Sequence, residues 1–389
     1  MKKILFLFLL VFLTNYSFFA QKPNVILGIA KETKTVDYYE TQSRLWKKET
    51  EKDSKNNFAW WQYYRAKRSF FQLKYSELWA KDQPAIFKKL RPIVDEIKEN
   101  IPNSYEYFLV EAGITEGETK IKFLKKAYQT DPDRTDIYEG LLIHFATKFL
   151  NKDAEEISQK MIENNYYSNA SLYWNYNALQ STEPNSVFIG NGDMDMIPKW
   201  VLQNGKGVRE DVILVSKWKI ASDDDYRQKI LRKIGISNIE KNQKDFSSLL
   251  DYSDYLVAAI MKKSPRKVYM SSGTSVKFFQ KMGLEQNIYL VGTAVVYSKN
   301  DFDNLKLTVD NFENVYQLDY LLHNFQTHRE DEMVKKYMNL TYLPGLIKVK
   351  DYFESKNNSK KVSYYSSLIQ KIARESGRAS EVMSWFKKK

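Results

Sequence analysis

Ser186-Val187-Phe188-Ile189-Gly190-Asn191-Gly192-Asp193-Met194-Asp195 is the stretch on which the fold turns. Three apolar residues follow the Pro184-Asn185 turn and end in a glycine-rich segment, the pattern of a short strand buried on both faces. Outward from it, the spacing predicts a helix over about 197–204, then a second strand, Asp211-Val212-Ile213-Leu214-Val215-Ser216. Strand, turn, helix and strand in this order imply a right-handed βαβ unit with a parallel pair. Ser222-Asp223-Asp224-Asp225 reads as an N-cap with an acidic first turn for a helix ending near Ile234. A helix over 246–261, a third strand at Lys267-Val268-Tyr269-Met270, and strand material at 288–291 and 294–297 complete a small α/β domain, residues 183–300.

On either side the periodicity is helical. Residues 35–180 carry apolar residues at helical spacing, with a dense aromatic segment from Trp60 and Trp61 to Trp79. From Phe312 onward the pattern is helical again, with Tyr342, Leu346 and Val349 on one face and Gly377 as a late stop. The expected fold class is α+β multidomain, mainly α. Helical regions at 21–182 and 301–389 flank the α/β domain and its partly parallel sheet.

The stretch 105–167 resembles tetratricopeptide repeats, helix pairs that stack on their neighbours. Leu124 and Ala127 precede Asp131-Pro132, and Tyr138, Leu141, Phe145 and Ala154 take the family's knob and small-residue positions. Leu142, Ser158 and Met161 depart from the pattern, and no Pro closes the second unit. The resemblance implies a concave face for a peptide or protein, with Tyr138 and Phe145 as expected contact residues; Trp60 and Trp61 of the aromatic segment are further candidates for partner contact.

Composition narrows the chemistry. The chain has 389 residues, with 27 Tyr, 22 Phe and 8 Trp but no Cys, which excludes disulfides, thiol catalysis and cysteine-ligated metals. Three His are present; His323 and His328 are five apart and would point about 140° away from each other on a helix, so no metal pair is expected. Ser271, Ser272 and Ser275 have no nearby His. No catalytic residue, cofactor or metal is assigned.

Lys2-Lys3 followed by ten apolar residues, Ile4 to Leu13, and then Ala20, has the form of a signal peptide over 1–20. The run is half the roughly 20 residues that a membrane span needs. The expectation is a periplasmic protein with no lipid anchor, because no Cys follows the run. The net charge of +12 loses two with the signal, and in that compartment it points to anionic lipid, lipopolysaccharide or an acidic protein surface rather than nucleic acid.

The sharpest site motif is the loop after the first strand, where ligands gather in open α/β sheets. Asn191, Gly192, Asp193 and Asp195 are the candidate ligand-binding residues. Two glycines allow close backbone approach, and carboxylates two apart occur in some oxygen-ligand metal loops. The loop lacks the Lys-Ser/Thr of a phosphate-binding loop and the closing Glu of a calcium loop. The structural alternative is that Gly192 makes a positive-φ turn while Asp195 caps the helix before Pro198.

Asn191 to Trp200, with Gln203, Gly207-Val208-Arg209 and Asp211-Val212, is similar to the soluble region of protein O-mannosyltransferase-like bacterial membrane proteins. Ser264 to Met270 and Tyr289 to Tyr297 resemble that region's next two strands. Met194 and Met196 stand where the family has Asn and Thr. The family's transferase chemistry belongs to a membrane part with no counterpart here, so the resemblance implies an envelope setting without transferase activity. Together these readings favour a non-enzymatic interaction protein. It would dock onto an envelope or outer-membrane assembly such as type IX secretion or gliding machinery. A periplasmic ligand- or glycan-binding protein using the Gly-Asp loop is the alternative.

Overall fold

A computed structural model describes residues 22–323 and 328–387. The expected signal peptide and the last two lysines lie outside the described residues. Within them, no helix is long and apolar enough to cross a membrane.

The chain is mainly helical with one five-stranded mixed sheet, order β2-β1-β3-β5-β4. The strands are β1 Val187–Gly190, β2 Ile213–Ser216, β3 Val268–Ser271, β4 Ile288–Leu290 and β5 Ala294–Tyr297. The expected parallel pair is present, with Val187 opposite Ile213, and β1 pairs in parallel with β3 as well. β5 runs antiparallel to both of its neighbours, β3 and β4.

Each central strand is buried on both faces because each face is covered by different helices. Phe188, Leu214, Tyr269 and Val296 point into one core with Met196, Ile197, Trp200 and Val201 of the helix Asp193–Lys206 and the helix pairs of residues 105–163. Val187, Ile189, Val215 and Met270 point the other way, against Ile220, Tyr226, Tyr252, Leu256, Phe278 and Phe279. The alternation is the period-two pleat of a strand, here apolar on both sides.

The N-terminal helices form their own core around Trp60, Tyr64, Leu90, Val94 and Val110, all nearly inaccessible. Their starts follow from short polar side chains. Thr35, Asn56, Ser104 and Ser168 each accept a hydrogen bond from a first-turn N–H, a contribution of about 1 kcal/mol apiece. The pairs Tyr105–Ile114 with Gly117–Thr130, and Tyr138–Lys148 with Asn151–Glu163, pack as helical hairpins.

The C-terminal helices do not stand apart as a separate tail. Phe312, Tyr342, Leu346, Val349, Tyr365 and Ile369 close over Ala170 and Trp174 of the helix Asn169–Gln180. Fully buried Asn177 seals that junction: its amide bonds Gln317 O at 3.0 Å and the Tyr342 hydroxyl at 2.7 Å, and its Oδ1 accepts from Gln317 N at 2.9 Å. The late stop is as expected, with Gly377 at φ +73° just past the helix Ser359–Glu375.

Candidate functional site

Chain direction at the sheet's carboxyl edge creates the site. After β1 the chain enters the helix Asp193–Lys206 on one face; after β3 it enters Val276–Lys281, whose Phe278 and Phe279 cover the other. Adjacent parallel strands whose continuations part in this way leave a crevice between their loops, the usual ligand position in open α/β sheets. Asn191, Gly192, Asp193, Met194 and Asp195 border it on one side, and Ser271, Gly273 and Thr274 on the other. Trp174, Tyr337 and Thr341 supply further wall, and the cavity measures about 330 Å³.

The helix begins four residues earlier than the sequence pattern indicates, and this reassigns the loop. Gly192 is the N-cap with φ −169°, extended backbone rather than the expected positive-φ turn, and a Cβ there would meet nothing. Gly190 is the sterically required glycine: a Cβ on it would lie 2.6 Å from Met196 Sδ. The approach that it permits is to its own helix. Asp195 sits inside the first turn instead of capping it, and its Oδ2 accepts from Asn191 N at 2.9 Å.

Lys199 is the residue that sequence reasoning left unassigned. Its side chain is fully buried, and Nζ donates to Asp195 Oδ1 and Asp195 O at 2.7 Å and to Asn175 Oδ1 at 2.8 Å. The ammonium also lies 4.8 Å from the Trp174 ring centroid and 4.6 Å from that of Phe188. Burial lowers its pKa from the ordinary value, opposed by the Asp195 carboxylate. The one signal available beforehand was a Lys in an otherwise apolar stretch, Met196-Ile197-Pro198-Lys199-Trp200. Asp195 is therefore committed to the scaffold.

Asp193 is different. Its side chain is exposed by area, and it makes no hydrogen bond or ion pair among the described residues. It is nonetheless ringed by protein in a concavity. That desolvation, aided by Glu139, raises its pKa against the pull of Arg68, Lys120 and Lys219. Across the crevice Thr274 is 7% exposed, and its hydroxyl has no partner. Tyr337 is 55% exposed, a free aromatic face at the mouth.

The expected partner-contact residues are placed elsewhere. Trp60 and Tyr138 are core residues at 2% and 1% exposure, because their helices pack on several sides. Trp61 is half-buried and stacked on Tyr64. Phe145 borders a second cavity of about 140 Å³ with Lys125, Tyr128 and Leu141. His144 packs against Phe145, and His328 Nε2 lies 2.7 Å from Asn165 O. The helix start falls at the expected place but one residue later: Asp223 is the N-cap, accepting from Tyr226 N, with Asp224 and Asp225 in the acidic first turn, while Ser222 ends the preceding helix. Among the described residues no group of His and acids is placed to hold a metal.

Comparison with known protein families, curated proteins and solved structures finds no match for the chain.

Proposed function

We propose that this is an exported, non-enzymatic binding protein that holds a small polar ligand in the crevice between the loops after β1 and β3. The observation that carries the reading is the divergence of the chain after two adjacent parallel strands, which opens a cavity between Asp193 and Thr274. An uncommitted carboxylate, an unpartnered hydroxyl and the exposed Tyr337 ring suit a saccharide, whose hydroxyls pair with polar groups while its face lies on an aromatic. The similarity of residues 187–297 to the soluble region of protein O-mannosyltransferase-like proteins supports an envelope setting.

The test is thermal stabilisation and NMR titration with a panel of neutral and acidic saccharides, calcium and magnesium. Wild type should respond to at least one ligand, and Asp193→Asn, Thr274→Val and Tyr337→Ala should each blunt the response. Equal responses in wild type and all three variants would remove the crevice from consideration.

A second reading, docking onto an outer-membrane assembly such as type IX secretion or gliding machinery through tetratricopeptide-like helix pairs, is favoured by the cavity beside Phe145. Its test is native pull-down from membranes with wild type and Phe145→Ala. Recovery of the same proteins with both would argue against that surface.

A further inference from the structure

The crevice wall carries negative charge with no cation on it to match. Among the described residues its lining includes two carboxylates, Asp193 and Asp195, and no Lys, Arg or His. Asp195 is neutralised from within the fold: Lys199 holds one of its oxygens and the Asn191 N–H the other. Asp193 has no such partner. Arg68, Lys120 and Lys219 pull on its titration, yet none of them lines the cavity, and burial still carries the shift upward. Its carboxylate therefore lacks a counter-charge at contact. On the other side of the crevice Thr274, 7% exposed with an unpartnered hydroxyl, is a second polar group without a protein partner.

The rest of the wall is aromatic and thioether. Tyr337 and Met338 end a π-helical stretch, Val334–Met338, a widened turn frequent at functional sites. Tyr337 exposes its ring, and Trp174 is held in place by its indole N–H, which donates to Met338 O and Thr341 Oγ1 at 3.0 Å. Met194 adds a second thioether. Aromatic faces and a carboxylate together attract an organic cation, the first through the ring quadrupole and the second through charge. The chain already uses this combination next to the crevice, where the Lys199 ammonium lies between Asp195 and the rings of Trp174 and Phe188. A hard divalent ion fits this wall poorly. Calcium and magnesium take about six or more oxygen ligands, and one uncommitted carboxylate supplies too few.

We propose that the crevice selects a ligand carrying a small organic ammonium group, such as an amino sugar, with the ammonium against Asp193 and the Tyr337 ring. The ligand's hydroxyls then meet Thr274 and Asn191. The inference rests on the crevice being a binding site and adds the charge that it selects. At about 330 Å³ the cavity is at the small end of ligand pockets, suited to one sugar ring rather than a chain.

The experiment uses the full mature chain and calorimetry at neutral pH and equal ionic strength. One series compares glucosamine, glucose and glucuronate; a second compares choline with its uncharged carbon isostere. Glucosamine should bind about tenfold or more tightly than glucose, with glucuronate weakest, and choline should exceed its isostere by a similar factor. Asp193→Asn should erase both preferences while glucose binds as before, and Tyr337→Ala should weaken choline most. Affinities that ignore charge in both series would overturn the ammonium and leave the crevice as a site for neutral sugars. A preference for the charged ligands that survives Asp193→Asn overturns the proposal as well. A preference seen with choline alone keeps the ammonium and removes the sugar. No binding by any ligand of either series would remove the crevice reading and the ammonium with it.

Discussion

The Lys199 ammonium lies 2.7 Å from the Asp195 carboxylate, one helical turn away, with the lysine wholly withdrawn from solvent. That pair holds the strand-to-helix turn. Asp195 gathers the Asn191 N–H with its other oxygen, and Lys199 reaches Asn175 on the preceding helix. Asn175 in turn donates to Met194 O at 3.1 Å. Crevice wall, helix and helical region are thereby fastened at one point.

Asp195→Ala leaves a buried cation without its counter-charge and is expected to cost about 3 kcal/mol in urea unfolding. Lys199→Met should cost less, because the carboxylate keeps the Asn191 N–H and some water. The double variant should be more stable than Asp195→Ala alone. A double variant as unstable as the sum of the two singles would show that the pair is not coupled. The pH dependence follows from the direction of the Lys199 shift. Its folded pKa lies below the ordinary 10.5, so the folded state gives up the proton first and stability gains as pH rises toward 10.5. The Asp195→Ala deficit should shrink over that rise.

Asp193→Asn should raise stability at neutral pH. The folded pKa of Asp193 lies above 3.8, so ionising it costs more in the folded chain than in the unfolded one. Below pH 3.8 both states are protonated, and the advantage of the amide should vanish. Melting curves of the two proteins across pH 3–8 check this; a destabilised variant would mean that Asp193 has a structural partner.

Arg209 ties the helical region to the sheet. Its guanidinium donates to Leu179 O at 3.2 Å, Thr182 O at 2.8 Å and Glu183 O at 3.0 Å, and its Nε donates to Asp211 Oδ1 at 2.9 Å. Arg209→Ala should cost about 2–3 kcal/mol, and Arg209→Lys should recover little, since an ammonium cannot span three carbonyls. The same contact holds the Asp211 pKa down to about 2, against an ordinary 3.8. Its contribution is present above pH 3.8 and is lost as pH falls toward 2; Asp211→Asn should flatten that acid limb of the stability curve.

Asn177→Ala is expected to cost about 3 kcal/mol, because it strands the Gln317 backbone groups and the Tyr342 hydroxyl in a buried junction. Limited proteolysis should then release the segment beyond residue 310 sooner than in wild type. Unchanged cleavage kinetics would mean that apolar contacts alone hold that region.

Much of the fold was readable from local pattern. Val187-Phe188-Ile189 and Ile213-Leu214-Val215 announce buried strands without help from the rest of the chain, and Ser222-Asp223-Asp224-Asp225 announces a helix start. The site was readable only in part. The loop at Asn191–Asp195 could be picked out by its position after a strand, but the work of its two carboxylates could not. Asp193 and Asp195 have the same chemistry and nearly the same neighbours in sequence. One points toward Lys199 and is consumed, and the other stands in the crevice.

The sequence by itself determined which segments are strands and helices, because hydrophobic period, capping side chains and turn residues act over a few positions. It determined the absence of thiol chemistry and the basic balance of the chain. Only the tertiary structure decided which polar groups are spent and which are free. Trp60 and Tyr138 became core because helices closed over them. Thr274 came to line a cavity because a strand from the middle of the chain lies beside β1. Burial and charge proximity are properties of packed space, and no local spacing encodes them.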